Sequence, residues 1–303
     1  VCSEYGPPSA LVLRELPDPQ PGPGQVLLRI HAAGVNFVDA LLIGGSLLAA
    51  LVLLALLGVV WTPYDPLKLD LLSRLHAPNA VHWLGTDEFG RDVFSRLIIG
   101  ARTSLWISLL SVSVAVICGT LIGMLAGYLR GWTDRVLMML NDALLAFPGI
   151  LMALGIMAIV GASQYGIVLA LGIAYTPSVV RVVRGSVLSL RELEFIEASR
   201  VIGNSELYTM FRHITPNCLA PLCVLATSMF GWALLSESAL SFLGLGVPPP
   251  AATWGSMLSA SRTYISTAPW LGIFPGIFIS LTLLAINLFG DALRDRLDPR
   301  MRK

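Results

Sequence analysis

Charge is what this sequence has least of. Only 13% of its 303 residues are Asp, Glu, Lys or Arg, against about a quarter in ordinary soluble domains. Hydrophobic residues make up 55%, more apolar surface than a soluble core of this size could hide, so the chain reads as a multi-spanning membrane protein. The net charge of +1 says nothing about nucleic acid, but no basic patch interleaved with aromatics is present, so no nucleic-acid partner is expected. Cysteine is sparse: Cys2, Cys118, Cys218 and Cys223 form no CxxC pair, and three sit in or beside apolar runs. They read as reduced structural thiols rather than disulfides or metal ligands. His31, His76, His82 and His213 lie at no ligand spacing from one another, so no metal site is expected. A GxxxxGK[ST] loop is missing too, and with it any usual means of binding ATP; no cofactor is expected on the chain itself.

What is there is a series of long apolar runs. Gly44–Thr62 is uncharged, ends at Trp61 as an interface anchor, and is stopped by Pro63, Asp65 and Pro66. Ser104–Tyr128 carries Gly119, Gly123 and Gly127 four apart, a stripe that lets helices approach closely in lipid. Val136–Val160 contains Asn141, Asp142 and Pro148, with a kink predicted at Pro148 and Gly149. After a tight turn at Gln164 and Tyr165 comes Gly166–Val183, with Pro177 near its end. The fifth apolar stretch, Pro216 to about Leu245, is too long for one straight crossing, and its span is placed at 216–241. The last span is Leu271–Leu288. The expectation is an all-α polytopic protein with six transmembrane helices.

Two acids fall within these runs. Asp142 stands near a span end and reads either as interface structure or as a functional group. Glu237 would be costly in hydrocarbon, so it should face protein or a water-filled path, as a satisfied structural acid or as a pathway group.

Between the spans, the polar segment His82–Leu105 places Thr86 as the expected N-cap of a helix with Asp87 and Glu88 in its first turn. Asp87 and Arg91 would form an i, i+4 pair, Glu88 and Asp92 would repel, and Phe89, Val93 and Leu97 would share a face. Such a helix would rest on the outer leaflet or touch the solute. Thr253–Trp270, rich in Trp and Tyr, reads as an outer re-entrant or interfacial segment.

The long polar stretch of the interior is Glu194–Asn217. Its pattern predicts two short helices joined at Gly203, the second with Leu207, Met210, Phe211 and Ile214 as an apolar stripe. Asn204 and Ser205 stand at the N-cap position, and Pro216 opens the next run as an N1 proline would. The small Ala198 and Ser199 would let a partner surface approach closely.

Glu197-Ala198-Ser199, then Gly203, Ile214 and Pro216, resemble the EAA loop of permease subunits of ATP-binding-cassette importers. Ser199 for the usual second Ala and Thr215 for a common Leu are mild departures. Two further stretches, His82–Leu105 and Ser236–Pro250 (SESALSFLGLGVPPP), are similar to signatures of the C-type permeases of the dipeptide/oligopeptide/nickel branch. The resemblance spans residues 44–303. It implies the six-helix fold of a type I importer permease, without an ATP site of its own. ATP would be bound by two partner ATPase subunits, one docked on each permease of a pair through its coupling loop, here at 190–215, with Glu197, Ala198, Ser199, Gly203, Ile214 and Pro216 as the coupling residues. It also implies a homologous second permease subunit, an extracytoplasmic solute-binding protein, and a multi-pass place in the bacterial inner membrane with both ends cytoplasmic. Peptide, nickel and glutathione importers share these signatures. Independently, the segments on the side of the loop and the C-terminal tail hold twelve Lys and Arg against six on the other side, which puts the loop in the cytoplasm.

Residues 1–43 are unlike the rest of the chain. Pro17–Gln25 (PDPQPGPGQ) is a turn cluster between two strand-like runs, and no cleavable signal peptide is expected. About the first 42 residues resemble the opening of medium-chain quinone oxidoreductases. That family's nucleotide-binding domain is absent from the remaining sequence, and Asn36 stands near the place where zinc-dependent relatives carry a ligand cysteine. The expectation is a non-functional fragment joined near Ile43–Gly44. Two rivals to the importer reading are an ion-coupled secondary transporter, built on Asp142 and Glu237, and an NADPH-dependent quinone oxidoreductase fragment.

Overall fold

The computed structural model describes residues 37 to 297, which form ten α-helices and no strand. Residues 1–36, and with them most of the segment that resembles an oxidoreductase, lie outside the described residues. Helix α1 (Phe37–Val60) carries the first apolar run and α2 (Val93–Leu129) the second. The third is split between α3 (Gly131–Leu145) and α4 (Gly149–Val160), and α5 (Gln164–Leu190) holds the fourth. Two short helices come next, α6 (Glu194–Val201) and α7 (Glu206–Thr209). A π turn, Met210–Ile214, joins α7 directly to α8 (Thr215–Leu240), which ends in a second π turn, Ser241–Leu245. The chain closes with α9 (Trp254–Ser261) and α10 (Trp270–Leu297). By length and composition five helices can cross a membrane, with the pair α3 and α4, bent by 91°, as a sixth candidate.

Several boundaries differ from those expected. Helix α1 starts at Phe37 and passes unbroken through Ile43–Gly44. Gly44 is needed there for packing: a Cβ would lie 2.7 Å from the Leu288 Cβ on α10. Helix α5 starts at Gln164 rather than after a turn, because the Ser163 hydroxyl accepts from the Gly166 N–H as an N-cap. It continues past Val183 to Leu190, leaving Pro177 in its interior. At the third span, Pro148 with Ala146 and Phe147 breaks the helix outright, which is the kink predicted there.

The glycine stripe on α2 settles how the bundle is built. A Cβ on Gly119 would come 2.5 Å from the Val179 Cβ, on Gly123 2.8 Å from that of Val183, and on Gly127 2.9 Å from that of Val187. Each step of four on α2 meets a step of four on α5 in the same direction, so the two helices run parallel with backbones in near contact. Gly172 on α5 repeats the device against Val114.

Helix α2 does not begin at Thr86. Asp92 is its N-cap, accepting from Ser95 N–H at 2.8 Å, and Thr86 instead pairs with Asp92 in an isolated antiparallel bridge. The reason is local. Gly85 and Gly90 take left-handed φ values of +78° and +73°, which fold residues 85–92 into a tight loop that no helix could contain. Asp87 still meets Arg91, Nε to Oδ2 at 2.7 Å, but across this loop, while Phe89 is exposed and Val93 and Leu97 are buried.

Candidate functional site

The Glu194–Ile214 segment is the helix-turn-helix that its sequence predicts, closed by three local devices. Gly203, at φ +89°, ends α6 in a Schellman motif. Its N–H bonds the Arg200 carbonyl at 2.9 Å and the Asn204 N–H bonds that of Ser199 at 3.2 Å. Ser205 caps α7, accepting from Tyr208 N–H at 3.2 Å. Across the turn the Ser199 and Thr209 hydroxyls lie 3.1 Å apart, and Asn204 Nδ2 donates to Ser199 Oγ at 3.0 Å. The residue that departs from the usual alanine is thus the one that ties the two helices together.

Pro216 sits inside a continuous helix rather than at a fresh start. Lacking an N–H, it would crowd the carbonyl of Arg212 in a regular turn. The π turn just before it widens the backbone at that point, with Thr215 N–H reaching back to Met210 O. Asn217 Nδ2 then donates to the His213 carbonyl at 2.7 Å.

This geometry divides the six residues singled out in the sequence. Glu197, Ala198, Gly203 and Pro216 are exposed. Ser199 and Ile214 are buried, so Ser199 faces the turn and not a partner. The expected apolar stripe divides as well: Met210 and Ile214 enter the core, whereas Leu207 and Phe211 point outward. Ile196, Met210 and Ile214 pack in one cluster with Met124 and Tyr128 of α2 and Val183 and Val187 of α5. On the open side Val201 (83% exposed), Ile202 (79%), Leu207 and Phe211 form an apolar surface. His213 stands edge-on to both Phe195 and Tyr208, at 6.5 and 5.7 Å between ring centroids.

Sequence reasoning missed the residues that seat this element. Arg191 Nη1 donates to the Tyr128 carbonyl at 2.8 Å, and the guanidinium groups of Arg191 and Arg200 lie 5.8 and 5.4 Å from the Tyr128 ring. An aromatic at the end of one span, with arginines some sixty residues on, carries no local signal. Only the α2–α5 packing brings them together.

The two acids within the spans have separate partners. Glu237 is fully buried where α2, α8 and α9 meet. Ser241 donates to one carboxylate oxygen at 2.9 Å and Ser104 to the other at 3.3 Å. Ser104 in turn accepts from the Trp254 N–H at 3.1 Å, and the Trp254 indole donates to the Leu97 carbonyl at 3.0 Å. Trp254 is therefore a core residue within the segment read as re-entrant or interfacial. Asp142 pairs with Arg181 at 2.8 Å with both side chains largely exposed, one step from the two-pronged Asp134–Arg184 pair.

Residues 119–303 match the family of binding-protein-dependent transport system inner membrane components. The chain belongs to that family. It is an importer permease subunit of the ATP-binding-cassette class, in the peptide/nickel branch, without a nucleotide-binding domain of its own. A putative peptide transport system permease protein of Brucella suis is 46% identical over 86% of this permease and 88% of its own length. The dipeptide transport system permease protein of Alkalihalophilus pseudofirmus is 44% identical over 86% of each chain. A glutathione transport system permease protein of Pectobacterium atrosepticum is 41% identical, covering 85% of the permease and 86% of its own length. Among solved structures, an inward facing form of the MetNI methionine ABC transporter superposes with a TM-score of 0.56 at 18% identity, over 67% of this permease and 96% of that chain. At that identity the likeness speaks for the fold.

Proposed function

We propose that this permease carries peptides, or a related small solute such as glutathione or nickel, through the inner membrane. Two ATPase subunits would drive the permease pair, one of them docked on this chain's Glu194–Ile214 element. The observation that carries this reading is the loop itself. Its inner face is locked into the α2–α5 core, while Val201, Ile202, Leu207 and Phe211 stand exposed around Glu197, Ala198 and Gly203. An exposed apolar surface on a rigid, otherwise charged element is what a partner groove covers. The excess of Lys and Arg on that side supports a cytoplasmic loop and cytoplasmic ends.

Six crossings fit the packing. Helix α2 ends beside the loop and its parallel partner α5 starts at the opposite end, which supports a sixth crossing in which α3 and α4 together return the chain across the bundle. The relatives' names favour peptides as the solute class. A second, homologous permease and an external binding protein complete the arrangement, with rigid-body rocking between two packings as the transport step. The rival ion-coupled carrier needs an assembled charged site, and Glu237 and Asp142 are each satisfied by different partners. Residues 1–43 we take to add no redox activity.

The test is co-purification of the complete complex followed by uptake of labelled dipeptides into proteoliposomes. Uptake should require internal ATP and the binding protein. Uptake driven by an ion gradient without ATPase subunits would overturn the reading.

A further inference from the structure

Tyr128 is the last but one residue of α2 and only 3% of it is exposed. Its surroundings come from three other elements. Arg191, just beyond α5, lies over the ring and bonds the Tyr128 carbonyl at 2.8 Å, while Arg200 of α6 lies 5.4 Å from the ring centroid. The phenol oxygen is buried without a hydrogen bond of good geometry, with Arg200 and Glu206 of α7 as its polar neighbours. The ring also shares the apolar cluster of Ile196, Met210 and Ile214. One side chain of α2 thus meets the end of α5 and both helices of the loop.

The loop is covalently continuous with α5 and α8, and nothing in the chain's connectivity ties it to α2. Only packing does so. The tight approach at Gly127, where a Cβ would stand 2.9 Å from that of Val187, lets Arg191 reach back over the end of α2. Two cations sharing one ring would repel each other in water. Here each is attracted by the Tyr128 ring, at 5.8 and 5.4 Å from its centroid, which offsets that repulsion.

We propose that Tyr128 is a positioning residue that makes the loop and the end of α2 one rigid body, so that displacement of the loop is delivered to α2. The proposal rests on the loop being the ATPase dock. Because the hydroxyl makes no hydrogen bond of good geometry among the described residues, the ring is the working part.

The experiment uses the complete complex in lipid, comparing wild type, Tyr128→Phe and Tyr128→Leu for ATPase capture, ATP hydrolysis and peptide uptake. Tyr128→Phe should match wild type. Tyr128→Leu should still capture the ATPases and hydrolyse ATP, with uptake per ATP lower by about fivefold. An unchanged ratio in Tyr128→Leu would overturn the proposal. Should that variant fail to assemble, spin labels at Leu125 and Glu194, both exposed and outside the docking surface, in a chain with native Tyr128 decide the matter. Their separation should be the same without nucleotide and with ATP bound; a shift between the two states would overturn the rigid link. Failure of wild type to capture ATPases, or capture that survives charged substitutions at Leu207 and Phe211, would instead count against the docking reading.

Discussion

Gly123 of α2 lies so close beneath Val183 of α5 that a single added Cβ would stand 2.8 Å from the valine's own Cβ and from the Val180 carbonyl. The contact is the middle of three equal steps, and it fixes both the spacing and the parallel direction of the two helices.

Overpacking at this seam should cost about 1–3 kcal/mol. Gly123→Ala is expected to lower the melting temperature of the purified permease. Adding Val183→Gly should recover part of the loss, since the second change removes the side chain whose Cβ the first one strikes, while the Val180 carbonyl stays in place. Two penalties that simply add would show that the contact is not the cause.

Glu237→Gln keeps an acceptor within reach of Ser104 and Ser241 and should melt and import close to wild type. Glu237→Leu leaves both hydroxyls without an acceptor, at about 1–3 kcal/mol, and should reduce the yield of folded protein. Loss of uptake in a stable Glu237→Gln permease would make the carboxylate a pathway group and not a structural hub.

No atom outside its own chain neighbours would lie within 4 Å of a Cβ at Gly203, so substitution there acts through the backbone alone. At φ +89° an ordinary side chain costs of order 1–3 kcal/mol. Gly203→Val should uncouple uptake from ATP hydrolysis in an assembled complex, and Gly203→Asn should be milder because Asn tolerates the left-handed region. Full uptake in Gly203→Val would remove the turn from the coupling element.

Gly90 combines φ +73° with a backbone carbonyl, that of Asp70, in the space its Cβ would need. That contact is held by the Asp70 N–H bond to Phe89 O at 3.1 Å. Gly90→Ala should open the Asp70–Asp92 segment to limited proteolysis while α2 and α5 stay protected. Proteolysis indistinguishable from wild type would show the loop to be softer than its contacts imply.

The apolar runs, the scarcity of charge and the punctuation at Pro63, Pro148 and Gly203 were enough on their own to indicate an all-α membrane bundle with a helix-turn-helix between its fourth and fifth apolar stretches. These features act within one turn or one span, so neighbouring residues carry them. The EAA-like residues were legible for the same reason. What each one faces was not. Ser199 and Ala198 are adjacent small residues, yet one closes the turn and the other is exposed. Likewise Met210 and Ile214 of the apolar stripe enter the core while Leu207 and Phe211 face outward, because the neighbouring α2 and α5 cover only part of it.

Thr86 failed as a cap because two glycines with positive φ closed a loop around it, and Trp254 lies inside the core because Leu97 and Ser104 receive it there. Glu237 among serines and Tyr128 between arginines are meetings of residues from different helices. The sequence by itself determined which segments leave water and where the chain turns, since burial of apolar side chains and local backbone chemistry decide both. Which side chains meet across helices was left to the tertiary structure, because the α2–α5 approach, set by the absence of a Cβ at Gly119, Gly123 and Gly127, is a property of two distant segments at once.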